Sequence, residues 1–128
     1  MEFTQGVRFD SLGLTEEVQR ALKKKNIEES TPVQAGCIPP MREWKDVIAK
    51  APTGTGKTFA FGIPIVEHID PSSTDVLALV LAPTRELAQQ IAEELSNLTY
   101  FMPEVQVACV YGGANMEKQA KRLAEGCQ

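Results

Sequence analysis

The residues best suited to chemistry are Ala51-Pro52-Thr53-Gly54-Thr55-Gly56-Lys57-Thr58. A loop of the form GxxxxGK[ST] cradles phosphates; this one keeps Gly56-Lys57-Thr58 and has Ala51 where the first glycine is usual. Gly54 and Gly56 let backbone amides turn inward and line an anion nest that side chains would obstruct. A helix beginning near Lys57 aims its unpaired N–H groups at the same place. Lys57 is spaced to reach the β- and γ-phosphates of a nucleoside triphosphate, and the Thr58 hydroxyl to meet Mg²⁺ directly or through a bound water. The bland alternative is a glycine-rich turn that binds nothing; the strand–loop–helix context speaks against it. The loop alone does not distinguish ATP from GTP.

The elements that must hold this loop follow from periodicity. Residues 1–13 read as an irregular leader. Thr15 with Glu16 and Glu17 starts a helix, Leu14, Val18, Ala21 and Leu22 recur at helical spacing, and Lys23-Lys24-Lys25 suits its C-terminus. That lysine run reads as a solvated helix end. A second helix begins at Thr31-Pro32, runs to about Ile38 and is stopped by Pro39-Pro40. From Asp46 the pattern alternates strand and helix. Val47-Ile48-Ala49, Val76–Ala82 and Val105–Tyr111 are the apolar runs, continuous as in strands buried on both faces. Between them come a helix over Lys57–Ile69, weakened by Gly62 and Pro64, a loop at Pro71–Asp75, and a long helix capped by Thr84 with Leu87, Ile91, Leu95 and Leu98 on one face. A last helix runs from Asn115 to about Glu125, with Met116, Ala120, Leu123 and Ala124 expected to face inward. The pattern predicts an α/β domain around a parallel sheet, divided as residues 1–45, leader and first two helices, and 46–128, the phosphate-binding part.

Composition sets outer limits. At 128 residues the chain suits one compact domain, and 43% hydrophobic with 23% charged residues is ordinary for a globular protein. A net charge of -4 speaks against a broadly basic surface, though not against a local one. Cys37, Cys109 and Cys127 have neither CxxC spacing nor a histidine cluster, so neither a disulfide framework nor a zinc site is expected. No apolar run reaches membrane-span length, and Met1-Glu2-Phe3 does not open a signal peptide; the expectation is a cytoplasmic protein.

Nearly the whole chain resembles the DEAD-box RNA helicase family. Ala51–Thr58 is similar to that family's phosphate loop, and Asn26–Gln34, ending Thr31-Pro32-Val33-Gln34, to its Q motif, with Phe9 upstream. Asn26, where the family commonly has glycine, and Ser30 depart mildly. Pro83-Thr84-Arg85-Glu86-Leu87-Ala88 is similar to motif Ia, and Gly112-Gly113 to the double-glycine motif. The resemblance implies a three-layer RecA-like domain, incomplete at its C-terminus, with ATP and Mg²⁺ as cofactors. It implies that Gln34 reads the adenine edge, Phe9 stacks on the base and Thr31 helps hold the motif. It also implies that Pro83, Thr84, Arg85, Gly112 and Gly113 touch the sugar–phosphate backbone of single-stranded RNA. A glutamine amide can indeed pair with adenine N6 and N7. Plainer readings stay open: Gln34 as a structural amide, Phe9 as a tack for the leader, Thr84 as a helix cap, Arg85 with Glu86 as a surface ion pair. His68 reads as a surface or capping residue, and Trp44 as packing on the N-terminal helices.

Hydrolysis in this class needs an acidic pair after a hydrophobic strand. The runs at 76–82 and 105–111 end instead in Pro83 and Gly112. The expectation is therefore an ATP-binding fragment of an RNA-unwinding or RNA-remodelling enzyme, able to bind nucleotide and unable to hydrolyse it alone, with a second RecA-like domain as partner. A different phosphate-loop NTPase and a non-catalytic nucleotide-binding module are the alternatives.

Overall fold

A computed structural model describes residues 6–128; the Met1-Glu2-Phe3 start and the first part of the leader lie outside them. Five α-helices follow a short 3-10 turn at Phe9–Ser11: α1 Glu16–Lys24, α2 Pro32–Arg42, α3 Lys57–His68, α4 Arg85–Leu98 and α5 Met116–Ala124. Helix α3 is central, packed against α1, α2 and α4. One core of Phe9, Leu14, Val18, Leu22, Ile38, Ile63, Val66, Ile91, Leu95 and Leu98 draws from both sides of the 45/46 division. No described helix is long and apolar enough to cross a membrane.

Helix α1 starts after Thr15 and ends in a Schellman motif. The Ile27 amide donates to Leu22 O (3.0 Å) and the Asn26 amide to Lys23 O (2.9 Å). Asn26 takes the left-handed conformation there (φ 57°), which asparagine tolerates best after glycine, so the departure at this position keeps the turn. Ser30 is equally explained. Its hydroxyl accepts from the Val7 amide (3.0 Å) and donates to Val7 O (2.8 Å), pinning the leader beside residues 28–30.

Helix α2 does not stop at Pro39-Pro40; both lie inside it, and it runs on to Arg42. The prolines forfeit two N–H donors, but the last turn is held from outside. The Arg42 guanidinium donates to Leu12 O (2.5 Å) and grips both carboxylate oxygens of Glu67 on α3 (3.1 and 3.3 Å). Glu67 also accepts from the Thr15 amide (3.1 Å). This pair, inconspicuous in the sequence, overrides a local helix breaker.

Pro64 likewise sits inside α3, fully buried. Gly62 is a packing requirement rather than a weakness: a Cβ there would lie 2.8 Å from Leu95 Cδ2 and 3.2 Å from Leu98 Cδ1 of α4.

Two expectations are corrected. Residues 47–49, 76–82 and 105–111 form no strand ladder among the described residues, whose one β-bridge joins Arg8 and Glu29. A strand exists only through a neighbour's hydrogen bonds. Here the Leu77 and Ala78 amides both donate to Gln128 O (2.7 and 2.9 Å), and the Gln106 amide to Gln128 Oε1 (2.8 Å), rather than to one another's segments. Leu79 and Leu81 are accordingly 78% and 84% exposed. Between these segments and α3–α4 lies an apolar cavity of about 370 Å³, lined by Ile69, Val76, Val80, Ile91, Leu95 and Val107 among others. The second correction concerns α5. Asn115, read as its first residue, caps it by accepting from the Lys118 amide (3.0 Å), but the Met116–Leu123 face is exposed and no α5 residue is buried.

All three cysteines are free, and Cys37 and Cys127 are buried. Burial pushes the Cys37 thiol above the usual range, which lowers its thiolate fraction at any given pH. Iodoacetamide at mildly alkaline pH is expected to modify half-buried Cys109 well before Cys37, as peptide mass mapping over time will show. Replacing Arg42 by Met keeps much of the stem and removes the guanidinium. With Glu67 left 9% exposed and unpaired, urea unfolding is expected to register a loss of about 3 kcal/mol.

Candidate functional site

The segment before α3 folds as a turn over Thr53 and Gly54, with the Thr55 hydroxyl donating to Pro52 O (2.6 Å). Gly54 (φ 85°) and Gly56 (φ 76°) both take the left-handed conformation. Around a Cβ at Gly54 there is open space, so its glycine serves the backbone alone. At Gly56 a Cβ would fall 2.2 Å from Gln34 Nε2, so there the side chain of another element fills the space.

Helix α3 then begins differently from the others. Thr31, Thr84 and Asn115 cap α2, α4 and α5 with side-chain oxygens, and α1 carries Glu16 and Glu17 in its first turn. Helix α3 has Gly56 as its N-cap, no capping side chain and no acidic residue in its first turn. Its first-turn amides carry no side-chain cap, and beside them Lys57 is exposed and Thr58 half-buried, so the helix start offers N–H donors, an ammonium and one hydroxyl that can also give a lone pair. That set fits a triphosphate and its magnesium ion: donors for the anion, one hydroxyl for the metal, no carboxylate to repel phosphate.

Gln34 joins the N-terminal helices to this cradle. Its Oε1 accepts from the Thr31 amide (2.9 Å), and its Nε2 donates to Gly56 O (3.0 Å). The Thr31 hydroxyl accepts in return from the Gln34 amide (3.5 Å), closing a capping box. Gln34 is 4% exposed, so its amide faces the loop and not solvent. Phe9 is 3% exposed and belongs to the core, with its amide donating to Glu28 O (3.0 Å). In this arrangement Phe9 tacks the leader down, and stacking on a base requires its ring to leave the core.

The second group of sequence-selected residues also converges. Thr84 caps α4 by accepting from the Leu87 amide (3.2 Å). The Arg85 guanidinium lies over the Tyr111 ring (5.6 Å to its centroid), and Gly113 (φ 88°) would place a Cβ 3.0 Å from Arg85 Nη2. The Tyr111 amide donates to Gln119 Oε1 (2.7 Å), and Gln119 Nε2 returns a bond to Tyr111 O (3.2 Å), staking the double-glycine turn to α5. Pro83, Thr84, Arg85, Gly112 and Gly113 are all exposed. Sequence reasoning missed Tyr111 and Gln119, which hold this surface; the only signal for Tyr111 is its place just before the glycine pair, and Gln119, inside α5, has none.

This backbone is that of a DEAD box domain: it matches the crystal structure of a DEAD box protein from the hyperthermophile Methanococcus jannaschii with a TM-score of 0.81 and 33% identity, over 91% of this chain and 32% of that one. The DEAD/DEAH box helicase family model matches residues 31–128, and the chain belongs to that family. The DEAD-box ATP-dependent RNA helicase CshA of Geobacillus kaustophilus is 50% identical over 90% of this chain and 24% of its own length. The ATP-dependent RNA helicase DeaD of Escherichia coli is 41% identical over 94% of this chain and 19% of its own. The chain thus spans about a quarter or less of these curated relatives.

Gln34→Ala would strand the Thr31 amide and the Gly56 carbonyl together. It is expected to lower stability by roughly 1–3 kcal/mol in urea unfolding. Because the lost bonds hold the loop, affinity for inorganic pyrophosphate, which has no base, should also fall; unchanged pyrophosphate affinity in calorimetry would show that the amide does not position the loop.

Proposed function

We propose that this chain is the nucleotide-binding part of an ATP-dependent RNA helicase that unwinds or remodels RNA and RNA–protein complexes. The observation that carries the reading is the Gln34 amide bridging the Thr31 cap and the Gly56 carbonyl, beside a helix whose first-turn amides have no capping partner. A loop turned by two left-handed glycines and tied to α2 by a buried amide is more elaborate than a mere connection requires.

In this reading the amides of residues 54–58 and Lys57 hold the phosphates, with Thr58 offering its hydroxyl to Mg²⁺. Ala51, Pro52, Thr53 and Thr55 shape the turn. Thr31 helps hold the motif, Gln34 reads the adenine edge by turning its amide from Gly56 O toward the base, and Phe9 stacks on the base once its ring leaves the core. When bound, ATP and Mg²⁺ supply a transferable γ-phosphoryl group and the charge that offsets its departure. Lys57 and Thr58 orient that group but hold no proton acceptor for an attacking water. Turnover in the whole protein therefore draws on a carboxylate outside these residues and on arginines of a second RecA-like domain, and the 128 residues alone bind without hydrolysing. Pro83, Thr84, Arg85, Gly112 and Gly113 take the RNA backbone: exposed, cationic at Arg85 and with bare backbone at the glycines, they can hold phosphate without reading sequence. The protein works in the cytoplasm, or in the nucleus if its source is eukaryotic.

Calorimetric titration with ADP and GDP in Mg²⁺ buffer tests this. ADP is expected to bind and GDP to bind at least about tenfold more weakly, a difference of 1.4 kcal/mol. Lys57→Ala should weaken ADP by roughly tenfold or more, since a charge-assisted contact contributes about 1.5–3 kcal/mol. Equal binding of ADP and GDP would favour a different phosphate-loop NTPase. ATP turnover above background by the unaltered chain would overturn the division between binding and hydrolysis.

A further inference from the structure

Arg20 and Lys24 stand one turn apart on α1 and therefore share a face. That face meets Tyr100-Phe101, just beyond the end of α4. The Arg20 guanidinium lies 4.1 Å from the Phe101 ring centroid, and the Lys24 ammonium 3.3 Å from that of Tyr100. The two rings meet edge to face, centroids 5.0 Å apart, and Tyr100 is 58% exposed. Lys23 and Lys25 flank Lys24 in sequence. Among the described residues none of these four cations is in an ion pair. In a chain of net charge -4, that is a concentrated positive spot beside exposed aromatic surface.

We propose that this basic–aromatic patch is a second contact for single-stranded RNA, at the end of α4 opposite Arg85. Its ligand class rests on the RNA reading of Pro83–Arg85 and Gly112-Gly113; its residues do not. Cations without carboxylate partners neutralise phosphates and release counterions. An aromatic ring beside them offers a stacking platform for any base. The cation–π contacts already hold Arg20 and Lys24 in place, so less side-chain freedom is lost on binding. An acidic peptide would answer the charge but leave the rings unused, which favours nucleic acid. Helix α4 has 14 residues; at about 1.5 Å each, its two ends are roughly 20 Å apart, a span that one RNA strand lying along the helix can bridge.

The test is fluorescence anisotropy of the 128-residue chain with a labelled oligouridylate of about 16 nucleotides, over a salt series. Replacing Arg20 and Lys24 together by Gln should weaken binding several-fold and flatten the log K against log salt slope by about 1.4, at about 0.7 per phosphate lost. Tyr100→Ala should weaken it at least about fivefold, and Lys24→Arg should leave it nearly unchanged. Arg85→Gln should remove a separate slope increment of about 0.7. Wild-type affinity and slope in the Arg20/Lys24 variant, with helical circular dichroism retained, would overturn the patch. So would the absence of any binding by the unaltered chain. If Arg85→Gln changes nothing while the Arg20/Lys24 variant weakens, the motif surface fails as the RNA site and the patch stands. If polyglutamate displaces the probe as effectively as unlabelled oligouridylate, the partner is an acidic protein segment and the RNA assignment is overturned.

Discussion

The carboxylate of Glu67 accepts from Arg42 and from the Thr15 amide, while Arg42 also holds Leu12 O. Four pieces of chain are thus fastened at one end of α3: the leader, the start of α1, the last turn of α2 and α3 itself. The other end of α3 is Lys57. A charged knot at the back of one helix therefore sets where the amides at its front point. With Glu67 9% exposed and Arg42 28%, the pair is shielded enough to be directional and wet enough to limit its desolvation cost.

Two glycines translate that fixed helix into local shape by opposite means. Gly62 lets α4 approach α3 along its flank, where Leu95 and Leu98 occupy the space a side chain would need. Gly56 lets Gln34 approach the loop, so the α2 cap and the phosphate-facing turn share one hydrogen-bonded unit. Neither can change alone, because packing density leaves no slack for an added methyl group. The loop is thus fastened to the helix layer through Gln34.

What the sequence disclosed was whatever local chemistry decides. Caps at Thr31 and Thr84, the start of α5 at Asn115, the acidic start and lysine-rich end of α1, and the glycine turn before Lys57 are each settled within a few residues. Distant partners decided the rest. Pro39-Pro40 read as a stop because the Arg42–Glu67 bond that carries α2 past them spans 25 positions. Gly62 read as a weakness because Leu95 is invisible from it in sequence. The apolar runs at 76–82 and 105–111 read as sheet because their composition asks for burial on both faces, but composition supplies no neighbour. Gln34 and Phe9 were found by pattern; that one faces the loop and the other the core could come only from coordinates.

Trp44 occupies the left-handed position (φ 61°) after α2, with its amide donating to Met41 O (3.1 Å) and the Lys45 amide to Pro40 O (3.1 Å). A bulky aromatic is strained there by about 1–2 kcal/mol. Its ring, 77% exposed, rests on His68 with centroids 4.1 Å apart. The chain has one tryptophan and one histidine, and they are these two. The tryptophan emission of the protein, excited at wavelengths its two tyrosines do not absorb, therefore comes from a single site where the ends of α2 and α3 meet, next to the segment that leads into the phosphate loop. The molecule carries its own optical gauge of whether its N-terminal helices are seated, readable without any label.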